Sequence, residues 1–215
     1  MNFTGTDVPA PAPMGAGGGA VVSLSKGERV SLSKVAPTLR KMIIGLGWDT
    51  NRYDGGYPFD LDVSCFMCGE DGRCDPRNFI FYNNLSDAAG SVVHMGDNLT
   101  GDGDGDDEQI KVDLDKVPTN IKKIAITVTI HEAEARGQMF GQVENAYIRL
   151  VNEETGAETI RYDLTEDYST ETALVIAELY EKDGWKFNAV GAGFDSSRYS
   201  SGLQALCANY GINAE

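Results

Sequence analysis

The chain lacks any apolar run near the roughly 20 residues that a membrane-spanning helix needs. Its most hydrophobic stretches, such as 42–48 and 121–130, are only about strand length, so no helical span is expected. No basic residue precedes Lys26, and residues 1–20 hold no continuous apolar segment, so export through a signal peptide is not expected either. Positive charge is scarce throughout: 18 Lys and Arg stand against 33 Asp and Glu, for a formal net charge of -15. Such a chain repels nucleic-acid phosphates and anionic lipid unless cations intervene, which argues against direct nucleic-acid binding. Cysteine is limited to four residues, at 65, 68, 74 and 207. Without an export signal these do not suggest a disulfide scaffold, and a reducing cytoplasm is the expected compartment, with attachment to the periphery of a membrane as a second placement.

Catalytic equipment is equally sparse. The two histidines, His94 and His131, offer little general-base supply. His131-Glu132 lacks the second histidine of a zinc-protease helix, and neither a phosphate loop nor a dinucleotide fingerprint is present. No nucleophile, base and orienting group can be assembled, so a non-enzymatic protein is expected.

What the chain does have is a succession of short β-type segments. Residues 1–20 carry Pro9, Pro11, Pro13 and Gly15, then Gly17 to Gly19, a composition that buries too little apolar surface to offset its chain entropy; they are expected to form a flexible tail. From 21 to 215 a single domain is expected. Strand-like segments cover 21–24, 30–32, 42–48, 61–67, 79–82, 109–114, 123–130, 146–151, 159–164, 173–180 and 185–190, divided by Gly, Asp and Asn turns. Ile110-Lys111-Val112-Asp113-Leu114 alternates as a half-buried antiparallel strand does. Consecutive strands without long intervening helices predict an all-β, two-sheet antiparallel β-sandwich. One or two short helices fit at 203–210 and 133–140, while 173–180 suits either state and is assigned to strand.

The strongest chemical signal is the loop from His94 to Glu108. Six carboxylates fall between Asp97 and Glu108 with no Lys or Arg among them, and Asp102-Gly103-Asp104-Gly105-Asp106 alternates acid with glycine. Calcium takes six to eight oxygens at about 2.3–2.6 Å, and glycine between aspartates lets a short segment wrap one ion and add carbonyl ligands. The loop is not an EF-hand: counting from Asp102, the sixth place is Asp107 instead of Gly and the twelfth is Asp113 instead of Glu. A solvated acidic turn is the plain alternative.

A second acidic pair, Asp60 and Asp62, lies two residues apart at the start of a predicted strand and so shares one face. Like charges placed so close are either solvated at a sheet end or neutralised by metal, and the coordinating reading gains if strand and loop meet at one end of the sandwich. Asn83, Asn84 and Asn145 are neutral oxygen donors that elsewhere usually support turns. Cys65, Cys68 and Cys74 invite a zinc or redox reading, yet no fourth ligand has zinc spacing, and in a strand positions 65 and 68 point to opposite faces. Core or edge cysteines are the expected reading, with pairing of Cys68 and Cys74 across the Glu70-Asp71-Gly72 turn left open.

The blocks Val22-Ser23-Leu24-Ser25-Lys26-Gly27, Gly45-Leu46-Gly47-Trp48-Asp49, Phe59-Asp60-Leu61-Asp62, Gly96-Asp97-Asn98-Leu99-Thr100-Gly101 and Gly105-Asp106-Asp107-Glu108 resemble, in order, those of the TerD family. Further blocks follow at 140–146, 171–173, 178–180 and 185–187, so the resemblance covers about 21–212. It implies a two-sheet β-sandwich that binds two Ca²⁺ ions near one end, without known catalysis, in a cytoplasmic system of tellurium resistance and stress response. The acidic blocks carry over to Asp60, Asp62, Asp97, Asp104, Asp106, Asp107 and Glu108, and Asp102, Asn83, Asn145 and Glu171 complete the candidate ligand set. The departures are the Pro/Gly-rich residues 1–20 and the cysteines at 65, 68 and 74.

The function expected is a Ca²⁺-dependent regulatory or scaffold module, whose ions change the charge offered to protein partners or bridge it to an anionic membrane surface. A thiol protein that handles tellurite or oxidants through Cys65, Cys68 and Cys74 is the alternative, and it requires accessible, low-pKa thiols.

Overall fold

The computed structural model describes residues 21–23, 29, 30, 32, 36, 38–49, 56–101, 105–164, 170–194 and 196–212. The expected tail at 1–20 lies outside them. Among the described residues, twelve strands form two six-stranded sheets. The first runs in the order β1 (Val22–Ser23), β10 (Glu158–Asp163), β9 (Tyr147–Asn152), β3 (Lys41–Gly47), β7 (Glu108–Asp113) and β6 (Val92–His94). The second runs β2 (Arg29–Val30), β12 (Trp185–Phe194), β11 (Ala173–Glu181), β8 (Lys123–Ile130), β4 (Leu61–Cys68) and β5 (Cys74–Ile80). All pairings are antiparallel except that of the two-residue β1 with β10.

The sandwich follows from period-two patterning. Met42, Ile44 and Leu46 of β3, Ile110 and Val112 of β7, and Ile148 and Leu150 of β9 face Leu61, Val63, Cys65 and Met67 of β4 and the Ile124, Ile126, Val128 series of β8. Each such buried side chain contributes about 1.5–3 kcal/mol relative to exposure, before chain entropy is set against it. The second sheet is covered on its other face as well. There Phe66, Cys68, Ala125 and Val175 pack against Leu206, Cys207 and Tyr210 from the C-terminal helix. This double coverage leaves β4 buried along its whole length: Leu61-Asp62-Val63-Ser64 still alternates apolar with polar, and Cys65-Phe66-Met67-Cys68 is continuously apolar.

The single-turn helix α1 (Ala133–Arg136) stops at Gly137, whose φ of 64° leaves the helical region, and a 3-10 turn follows at Phe140–Gln142. The predicted helix at 133–140 is therefore two short pieces. The C-terminal helix α2 (Gly202–Asn209) opens with Ser201, whose hydroxyl accepts from the Gln204 N–H at 3.3 Å. Segment 173–180 is strand, held between β8 and β12.

Two contacts tie the sheets together at one end. Trp48, just past β3, donates from Nε1 to the Phe59 carbonyl at 3.0 Å, and the Val63 N–H of β4 donates to Glu108 Oε2 of β7 at 2.7 Å. The acidic blocks converge at this end.

Candidate metal centre

Asp60 ends the segment leading into β4 and Asp62 is its second residue, on the face of the second sheet turned away from the inter-sheet core. After β6 the chain leaves the edge of the first sheet and brings Asp97 across the end of the sandwich. One oxygen from each of Asp60, Asp62 and Asp97 lies within 4.8 Å of the others. Asp60 and Asp62 are buried, and Asp97 is exposed.

Among the described residues, the basic side chains beside them stand at the limit of ion-pair distance. Arg136 Nη1 stands 4.0 Å from Asp60 Oδ2, and His131 Nδ1 stands 3.9 Å from Asp62 Oδ2. Burial, reinforced by Glu108, Asp60 and Asp97, pushes the Asp62 carboxyl up to about 8. Burial also raises Asp60, and it raises Tyr82, which feels the charges of Asp62, Asp97 and Asp60. Asp62, Tyr82 and His131 line a cleft of about 270 Å³ beside the cluster.

Glu108 braces the arrangement from the core side. Its Oε2 accepts from Val63, its Oε1 accepts from the Asn98 N–H at 3.3 Å, and its carboxyl abuts Asp97. Burial raises its pKa. His94 Nδ1 accepts from the Gly96 N–H at 3.2 Å, which leaves Nε2 facing Glu108 Oε2 at 3.7 Å with no closer partner. Asn98 organises the loop: its Oδ1 accepts from Thr100 and Gly101, and its Nδ2 donates to Asp107 Oδ1 at 3.2 Å. Asp107 Oδ2 in turn accepts from the Trp48 N–H at 2.9 Å. Gly101 has a φ of 68° and lies against the Trp48 indole, where a side chain would overlap the ring.

Asp106 goes elsewhere. It sits over Gly45 on the outer face of the first sheet, where Arg149 Nε contacts Oδ1 at 2.7 Å and Arg149 Nη2 contacts Oδ2 at 3.1 Å. Tyr147 and Gln109 also donate to this carboxylate. The remaining candidates are dispersed. Asn145 donates to Asp49 Oδ2 at 2.7 Å, and Glu171 Oε2 accepts from the Thr170 N–H at 3.1 Å. Asn83 is exposed in the turn one residue past Tyr82, and Asn84 donates to the Phe79 carbonyl at 2.7 Å. Asp102 and Asp104 lie outside the described residues. Sequence reasoning missed Tyr82, Arg136 and Arg149, since none departs from ordinary strand or turn usage.

The trio could hold a metal ion. The donors are all hard carboxylate oxygens, the kind that hard divalent cations such as Ca²⁺ and Mg²⁺ take. Among the described residues this is the one grouping of three acidic, histidine or cysteine ligands at metal-binding spacing.

The TerD domain family matches residues 21–210. General stress protein 16U of Bacillus subtilis (strain 168) is 56% identical over 193 residues, covering 89% of this chain and 97% of that protein. The tellurium resistance protein TerD of Serratia marcescens is 55% identical over 195 residues, covering 90% and 98%. The crystal structure of a homologue of telluride resistance protein (TerD) from Streptomyces coelicolor A3(2) superposes with a TM-score of 0.63 at 22% identity, covering 77% of this chain and 97% of that one; it is similar in fold.

Proposed function

Because the chain belongs to the TerD family, whose relatives carry tellurium-resistance and stress-protein names, we propose that it is a calcium-binding, non-enzymatic module of that response, acting through Ca²⁺-dependent docking. The observation that carries this reading is the convergence of Asp60, Asp62 and Asp97, two of them buried, with Arg136 4.0 Å from Asp60. Asp60, Asp62 and Asp97 would hold the ion, and Glu108 would steady them from within. The ion would supply positive charge where the three carboxylates, once ionised, repel one another. A second ion, which the family resemblance implies, would draw on the segment containing Asp102 and Asp104.

The docking reading follows from charge. A bound cation converts a repulsive acidic end into one that an acidic protein surface or an anionic membrane can approach, in the cytoplasmic setting expected from the sequence. The thiol alternative draws less support, since Cys65, Cys68 and Cys74 are all buried. Calorimetric Ca²⁺ titration of chelator-treated protein tests the reading: saturable binding that Asp62→Asn weakens at least tenfold is expected, and absence of Ca²⁺ heat in the wild type overturns it.

A further inference from the structure

The layer between the second sheet and α2 holds three thiols that the metal centre does not use, Cys68, Cys74 and Cys207. Cys68 ends β4, Cys74 begins β5, and the two are register partners across the hairpin. The Gly69 N–H donates to the Arg73 carbonyl at 3.0 Å, one step closer to the turn. At the next step the cysteines turn their backbones elsewhere: the Cys74 N–H donates to the Tyr210 carbonyl at 2.9 Å, and the Cys68 carbonyl accepts from Lys122 at 2.8 Å. They therefore form a non-hydrogen-bonded antiparallel pair. In such pairs the Cα atoms stand about 4.5 Å apart and the side chains come closest. A disulfide needs about 4.4–6.8 Å between Cα atoms.

The two sulfurs lie within reach of each other, and their interaction lowers the pKa of Cys68 and raises that of Cys74. As the thiols stand, Cys74 Sγ donates to the Asp75 carbonyl at 3.3 Å and Cys68 Sγ to the Phe66 carbonyl at 3.5 Å. Lys123, the register partner of Cys68 on β8 and itself paired with Glu178 at 3.1 Å, adds positive charge that favours a Cys68 thiolate, while burial and the Glu178 and Asp71 carboxylates work against it. A bulge between Phe66 and Cys68 aims the Met67 N–H at the Cys74 sulfur. Cys65 is directed into the inter-sheet core, where burial raises its pKa, and is paired in register with Ile80.

We propose that Cys68 and Cys74 are an oxidisable dithiol that closes into a cross-strand disulfide when the protein meets a hydroperoxide. The Cys68 thiolate attacks the terminal peroxide oxygen; the O–O bond breaks, and the alcohol or water leaves with the proton taken from Cys68. Cys68 is then a sulfenic acid. The Cys74 sulfur attacks it, the S–O bond breaks, and the hydroxyl departs as water with the Cys74 proton. In sum two thiols and one hydroperoxide give one disulfide, one alcohol (water, for hydrogen peroxide) and one water, a two-electron oxidation. A thiol reductant reverses it. Cys68 is fully buried and Cys74 is 5% exposed, so the reaction is slow beside that of an exposed thiolate.

The test is peptide mapping of the intact protein after hydrogen peroxide, with free thiols alkylated under denaturing conditions. Trypsin cuts after Arg73 and Arg77, releasing Cys74 on a four-residue peptide, while Cys65 and Cys68 share the preceding one. The expected product is those two peptides joined, about 2 Da lighter than their reduced sum, with fragmentation placing the link at Cys68 and with Cys65 and Cys207 alkylated. A reductant should abolish it, and Cys65→Ala should keep it. Cys74→Ser should lose it, and the wild-type map decides the matter if that variant fails to fold. Alkylation of all four thiols overturns the proposal, as does a link to Cys65 or Cys207, or sulfinic and sulfonic products at Cys68 without a disulfide.

Discussion

Arg149 grips Asp106 with two nitrogens, at 2.7 and 3.1 Å, directly above the α-carbon of Gly45. The carboxylate is nearly excluded from solvent, its side chain being 1% exposed. Only a residue without a Cβ leaves room for it, so the glycine, the acid and the arginine are one unit on the outer face of the first sheet.

Gly45→Ala should therefore destabilise the protein, although alanine is ordinarily the better strand residue of the two. A methyl group there overlaps the Asp106 carboxylate and drives it off Arg149. Overpacking of this kind costs about 1–3 kcal/mol, equivalent to a fall of roughly 2–12 °C in melting temperature for a chain of this length. The check is a double-mutant cycle: in an Asp106→Ala background the same substitution should cost little. Equal costs in both backgrounds would show that the contact is not responsible.

The same geometry sets Asp106 apart from the Asp60, Asp62 and Asp97 cluster. Asp60→Asn and Asp62→Asn should each weaken Ca²⁺ binding tenfold or more, because each removes a charged oxygen from the cluster. Asp106→Asn should leave Ca²⁺ affinity within about twofold while lowering stability, since it strands a half-buried arginine. Titration of the three variants separates the roles. If Asp106→Asn abolishes binding, Asp106 leaves Arg149 to become a ligand.

Much of the fold was legible in the sequence. The strand at 123–130 emerges residue for residue, because Ile, Val and Thr crowd it and Pro and Gly are absent. The first half of β5 was hidden, since Asp75-Pro76-Arg77-Asn78 has turn composition. Proline is tolerated there because β5 is a sheet edge, and edge position is a property of the topology. The three-residue β6 was equally hidden just before the acidic loop, where pairing with β7 creates it. At the site, the closeness of Asp60 and Asp62 follows from strand periodicity, but their meeting with Asp97 depends on how the loop after β6 crosses the end. The capture of Asp106 depends on Arg149, which in Ile148-Arg149-Leu150 looks like any outward residue of an alternating strand.

Trp48 should report calcium optically. It is bonded to the carbonyl of Phe59, the residue before Asp60, and through Asp107 and Asn98 it is linked to the loop that carries Asp97. The other tryptophan, Trp185, begins β12 at the opposite end, beside Leu32 and Leu114. Calcium should shift the emission of the wild type, and Trp48→Phe should remove that shift while Trp185 still fluoresces. A calcium response that survives in the Trp48 variant would place the ion elsewhere.

The chelated protein should lose stability as the pH rises, the reverse of the usual behaviour of paired carboxylates. In the unfolded chain Asp62 titrates near its ordinary value of 3.8, whereas in the fold burial and its acidic neighbours hold it at about 8. Between those values the folded state keeps a proton that the unfolded state has released, so each step up in pH favours unfolding. The contribution of Asp62 is fully present below about pH 4 and lost as pH rises through about 8. Asp60 and Glu108, raised for the same reason, act in the same direction. Calcium should invert the slope, because it binds the deprotonated carboxylates and displaces the proton. Melting temperatures with chelator and with millimolar Ca²⁺ should thus diverge as pH rises from about 5 to about 8, and Asp62→Asn should flatten the chelated curve. Parallel curves across that window would mean that the three carboxylates are not the site of exchange between proton and metal.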